Sequence, residues 1–186
     1  MKNVIRNLVC AGVLGASTLG FAAGDEAAVE PSKGTAQLKE ATASAVTLFN
    51  EKVGAEAAKN VGLVTLTKGD DSIVVAITYK EGEATKTATF DCKGAKVACE
   101  QPATGDATVA VTVRANAKWG LAELKTSTDF ALDKFKASQA ADDEKVETVS
   151  VKKNIQGNAA KVLIGFGAEE PTEYFCHNHG DHIDCH

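Results

Sequence analysis

The sequence predicts an α+β protein: a tandem duplication of a unit in which one helix packs on a small antiparallel β-sheet ending in a disulfide-stapled hairpin. Three observations predict it. The stretches TATFDCKGAKVACE (Thr87–Glu100) and EYFCHNHGDHIDCH (Glu173–His186) each set an aromatic before a Cys–loop–Cys unit, with Cys92 and Cys176 84 residues apart and Cys99 and Cys185 86 apart. Upstream of each lies a stretch of helical apolar spacing, in which Phe49 and Phe135 are again 86 apart. Between helix and cysteines, each half holds two apolar, β-rich runs. Self-similarity of this kind is sought first, because missing it misreads the fold.

The chain opens with a segment of its own kind. Lys2 and Arg6 precede an apolar stretch from Leu8 to Ala23, and Gly20 and Ala22 stand at the small-residue positions of a cleavage site. Residues 1–22 therefore read as a signal peptide, too short and too interrupted for a spanning helix. Cys10 falls inside it and leaves with it, a reading preferred over lipidation at that position. Residues 23–34, polar and containing Pro31, read as a flexible leader.

The first repeat spans 35–115. Leu38, Ala41, Ala45 and Leu48 or Phe49 recur at threes and fours, marking one apolar helical face. Ser32 or Thr35 caps its start, and Gly54 and Gly62 mark its end. Strands follow at Leu63–Thr67 and Ile73–Tyr79, divided by turns at 69–71 and 81–83. A further run, Ala107–Ala115 (ATVAVTVRA), reads as a fifth strand or as a connection between two sheets. The second repeat spans 116–186, with Trp119 near the helix start and Leu121, Leu124, Thr128, Ala131 or Leu132, and Phe135 on the apolar face. Its strands are Val146–Lys152 and Lys161–Phe166, with turns at 156–158 and 169–172. Turns this short make neighbouring strands antiparallel.

Composition narrows the function. The net charge of −5 becomes −7 once Lys2 and Arg6 are removed, which argues against nucleic acid and anionic membrane surfaces as partners. No later segment is apolar enough to insert in a membrane. The four remaining cysteines are an even number in an exported chain, so oxidation to disulfides is expected. The repeat favours Cys92–Cys99 and Cys176–Cys185. The first copy, CKGAKVAC, has no histidine, so the shared part of the motif is structural and not a zinc site.

All four histidines fall in the last ten residues. Opposing Cys176 and Cys185 leaves Gly180-Asp181 as a two-residue loop, and glycine suits the first position of a type II′ turn. Alternation then puts Cys176, Asn178, Ile183 and Cys185 on one face and His177, His179, His182, Asp184 and His186 on the other. His177, His179 and His182, with Asp184 as fourth ligand or orienting partner, form a candidate Zn or Cu site; His186, at the strand end, is the weakest member. A pH-sensitive contact surface and plain solvated polarity are the alternatives weighed against metal.

No GxSxG, P-loop, GxGxxG or HExxH motif is present, and the pairs Asp70-Asp71, Asp142-Asp143 and Glu169-Glu170 read as solvated turn or helix-end charges. The chain is therefore expected to be a non-enzyme: an exported binding module of the bacterial envelope, in the periplasm of a Gram-negative bacterium or secreted, with a protein partner. A metal-binding protein using the histidine cluster, and a protein inhibitor presenting stapled hairpins, are the two other readings.

Overall fold

The computed structural model describes residues 33–113, 119–154 and 156–186. Residues 1–32, which hold the expected signal peptide, Cys10 and most of the expected leader, and residues 114–118 and 155 lie outside the described residues. The elements run α1 (Gly34–Lys52), α2 (Ala55–Lys59), β1 (Val61–Lys68), β2 (Ile73–Glu81), β3 (Ala84–Lys93), β4 (Ala98–Cys99), β5 (Ala103–Asp106), α3 (Leu121–Ser138), β6 (Val146–Lys153), β7 (Ala159–Phe166), β8 (Thr172–Asn178) and β9 (Ile183–Cys185), with a 3₁₀ turn at Ala140–Lys145.

The two halves do not form two sheets. The first strands of each half, β1 and β6, pair antiparallel from Leu63↔Lys152 to Thr67↔Thr148. One nine-stranded sheet results, in the order β4-β3-β2-β1-β6-β7-β8-β9, with β5 also on β3. The element order helix, three long strands and staple appears twice around that central pair.

The helices lie side by side on one face. α1 buries Leu38, Ala41, Ala45 and Phe49, and α3 buries Leu121, Leu124, Ala131, Leu132 and Phe135. Beneath them the inward residues are Val64 and Leu66 of β1, Val75 and Ile77 of β2, Val149 and Val151 of β6, and Val162 and Ile164 of β7, all 1% exposed or less. The matched positions carry matched contacts. Thr42 donates to the Leu38 carbonyl and Thr128 to that of Leu124, both at 2.8 Å. Phe49 meets Tyr79 edge-on with centroids 5.2 Å apart, and Phe135 meets Phe166 at 5.0 Å.

Three local expectations change. The strand expected at Ala107–Ala115 lies instead at Ala103–Asp106, which pairs with β3; residues 107–113 are outside any strand. The alternation of ATVAVTVRA mimics a strand, but Val111 is buried to fill the space left by the missing side chain of Gly62. The cap of α1 is supplied from a distance: the Asp143 carboxylate accepts from the Thr35 N–H at 3.3 Å and the Thr35 hydroxyl at 2.5 Å. Asp143 is thus buried, not solvated, and ties the start of α1 to the second half. Finally, the end of α1 at Lys52 is followed by an extra short helix, α2, the intervening Gly54 adopting φ +111°.

Candidate functional site

Both staples form. Cys92 and Cys99 are joined at an S–S distance of 2.06 Å, and Cys176 and Cys185 at 2.09 Å. The first leans on α1, where the Cys99 N–H donates to Ser44 Oγ at 3.1 Å. The second is fully buried against α3, close to the Ser127 carbonyl. Disulfides suit an extracytoplasmic protein, since cytosolic thiols are kept reduced.

The buried staple fixes the hairpin beyond it. Cys176↔Cys185, His177↔Asp184 and Asn178↔Ile183 are opposed as the symmetric register requires. Gly180, at φ +99°, begins the two-residue loop, and the His179 N–H donates to the His182 carbonyl at 2.9 Å. Cys176, Ile183 and Cys185 face the helices, while His177, His179, His182 and His186 are exposed on the other side. His186 is held in the ladder, exchanging backbone hydrogen bonds of 2.9 and 3.0 Å with Phe175.

The imidazoles are arranged in pairs. His177 stacks on His186 with centroids 5.2 Å apart, and His179 on His182 at 5.1 Å. The weakest expected member, His186, is therefore the ring partner of His177. By register, Asp184 sits amid the four rings, and it makes a loose 4.0 Å ion pair with Lys134. His182 Nδ1 lies 2.7 Å from Asp181, and that hydrogen bond holds the Asp181 carboxyl below the usual range. Among the described residues no three of His, Cys, Asp and Glu converge as a chelating set. The register gathers the expected ligands on one face without closing them on a point.

The outer face of the sheet extends this surface. α1 and α3 lie on the opposite face, and on this one Thr78 is buried. One row across it reads Thr87, Thr78, Leu63, Lys152, Lys161, Phe175, and the neighbouring row Thr89, Ala76, Thr65, Ser150, Leu163, Glu173. Phe175 is 46% and Val74 37% exposed. Lys152, Lys161 and Phe175 border a cleft together with Asn154 and Gln156.

On the opposite side of the same strand end, Lys153 is 4% exposed and its ammonium donates to the Trp119 carbonyl at 2.6 Å. Burial pulls its pKa down from 10.5 to about 8, opposed by the nearby Glu123 carboxylate. The sequence held a signal for this residue. In the strand Val149-Ser150-Val151-Lys152-Lys153, alternation sends one of two adjacent lysines inward with the valines.

No protein-family model matches the chain, and no curated protein does. Two solved structures resemble it. One is a candidate lipoprotein from Clostridium difficile 630, at 13% identity and a TM-score of 0.39, covering 76% of this chain and 90% of that one. The other is PF-8, the DNA polymerase accessory subunit of Kaposi's sarcoma-associated herpesvirus, at 12% identity and a TM-score of 0.25, covering 74% of this chain and 42% of that one. Likenesses this distant assign neither a family nor a function. Among the described residues no helix is long and apolar enough to cross a membrane.

Proposed function

We propose that the protein is an exported, non-catalytic binding module of the bacterial envelope, acting in the periplasm of a Gram-negative cell and engaging a protein partner through the outer face of its sheet. The observation that carries this reading is the asymmetry of the sheet. One face is sealed by α1 and α3; the other presents Thr65, Thr87, Thr89, Ser150, Leu163 and an exposed Phe175 on a rigid frame stapled near both edges. Such a surface is broad, which suits contact with another macromolecule better than enclosure of a reacting group. The two halves are read as copies of one unit, joined through their first strands, so that duplication doubled the width of the face. The signal-peptide pattern and the paired cysteines support export.

Site-specific photo-cross-linking in the producing cell tests the reading. A cross-linker at Ser150 or Leu163 should give a discrete adduct, and one at the exposed helix position Lys136 should not. Adducts independent of the face would end the proposal.

A second reading, metal binding, is favoured by the histidine array. Directly opposed and diagonal positions on a hairpin lie about 5–8 Å apart at Cβ, within reach of rings turning onto one Zn²⁺ or Cu²⁺. The stacked pairs would have to open toward Asp184 to do so. Native mass spectrometry of untagged mature protein with added Zn²⁺ or Cu²⁺, against the His177→Ala/His179→Ala/His182→Ala variant, decides it: one stoichiometric ion lost in the variant supports a site, and no ion removes this reading.

A further inference from the structure

We propose that the cleft between β6, β7 and β8 on the outer face binds an anion attached to a flat apolar body, such as an aromatic carboxylate or phosphate ester. The inference rests on reading this face as the binding face, and it names the chemistry of one part of it.

The cleft is cationic in an acidic protein. Lys152 and Lys161 are directly opposed across β6 and β7. Like charges in that position are disfavoured in a sheet unless compensated, and the chain around them carries a net charge of −5. Only one of the two is neutralised: Lys161 pairs with Glu173 at 2.5 Å, whereas Lys152 is exposed and has no anionic partner among the described residues. An arriving anion would give Lys152 the counter-charge it lacks, within reach of the Lys161 ammonium.

The apolar half of the ligand is set by Phe175. It lies beside Lys161 across β7 and β8, 46% exposed, with the Lys161 ammonium 5.7 Å from its ring centroid. A ring laid on Phe175 would bury apolar area on both partners while its charged substituent reached the lysines. Lys153, Asn154 and Gln156 complete the rim, and the cleft of about 540 Å³ has the size of a site for a small ligand. An inorganic anion would use the lysines alone and leave the aromatic floor idle, so the arrangement selects for both features together.

The test is an amide NMR titration of the mature, disulfide-bonded protein with phenyl phosphate, benzoate, inorganic phosphate and benzyl alcohol. The expected result is saturable shifts centred on Lys152, Lys161 and Phe175 with phenyl phosphate or benzoate, the stronger of the two naming the anion. Inorganic phosphate and benzyl alcohol should each bind at least about tenfold more weakly. Lys152→Ala should weaken phenyl phosphate about tenfold, and Phe175→Ala should reduce it to the level of inorganic phosphate; both are exposed positions, so the spectrum outside the cleft reports an intact fold. Linear shifts up to about 10 mM, or equal affinity for phosphate and phenyl phosphate, would overturn the proposal. Saturable binding without face-specific cross-links would keep the ligand site and remove the protein-docking reading. Cross-links without saturable binding would do the reverse.

Discussion

The burial of Lys153 makes stability depend on pH in a fixed direction. Its ammonium is buried at the end of β6 and bonded to the Trp119 carbonyl, and its pKa falls from 10.5 to about 8 on folding. The unfolded chain therefore binds more protons than the native one between those values, so this group makes stability rise with pH across that window. The penalty is fully present below about pH 8 and gone above 10.5. At about 1.36 kcal/mol per tenfold the displacement corresponds to about 3.4 kcal/mol, and solvent screening at the rim of the core reduces it to about 1.5–2 kcal/mol. Lys153→Met removes the charge but leaves the Trp119 carbonyl unpaired, at a cost of about 1 kcal/mol at any pH. Stability relative to wild type should thus fall by about 1.5–2 kcal/mol between pH 7 and pH 10.5, starting near or slightly above it. Urea unfolding followed by Trp119 fluorescence at both pH values measures this, and taking the difference cancels the other titrating groups. A difference between variant and wild type that stays constant within about 0.5 kcal/mol from pH 7 to 10.5 would refute the argument.

Other consequences are more direct. Removing either disulfide by paired Cys→Ala substitution should cost about 2.5 kcal/mol from loop closure alone, at sequence separations of 7 and 9, measured by urea unfolding. Only loss of the Cys176–Cys185 bond should also release the histidine hairpin, seen as loss of hydrogen-exchange protection at His179. Asp143→Ala should cost about 1–2 kcal/mol, because it leaves the Thr35 N–H and hydroxyl without their acceptor. Gly62→Ala would place a Cβ 2.7 Å from that of Val111 and should destabilise by about 1–3 kcal/mol, whereas adding Val111→Gly, which removes the clashing Cβ, should recover part of it.

What the sequence made legible was local. The helical faces through Leu38 and Phe49, or Leu124 and Phe135, follow from apolar spacing, and the register of β8 and β9 follows from two cysteines and a glycine in a short loop. What it concealed was long-range. Nothing in Leu63–Thr67 or Thr148–Lys152 marks them as partners, because either strand presents the same alternation whether it ends a sheet or sits at its centre. Asp143 looked like a solvated charge because its acceptor role depends on Thr35, 108 residues away. Alternation from the cysteines accounts for the exposed face of the histidines, but ring orientation depends on side-chain torsions that spacing does not contain.

The outer edges of the sheet are closed differently, and this bears on how the second half is used. At the first edge β3 is paired by β5 over Lys86–Thr89 and by β4 over Cys92 and Lys93. At the second, β9 covers Cys176 to Asn178 of β8, and Phe175 bonds to His186. Strand periodicity turns the backbone groups of Glu173 outward as well, with no backbone partner among the described residues. Such an edge invites another strand, and charge and proline are what discourage it; here Pro171, Glu169, Glu170 and Glu173 stand along it. Glu173 also neutralises Lys161, so the residue that guards the edge restrains the cleft. Glu173→Gln should free Lys161 and remove a nearby negative charge. At about 0.2–1 kcal/mol for an exposed pair, phenyl phosphate should bind up to about fivefold more tightly. The same titration reads the change, with Lys161→Ala moving affinity in the opposite direction. If Glu173→Gln weakens binding instead, Glu173 positions Lys161 for the anion rather than competing with it.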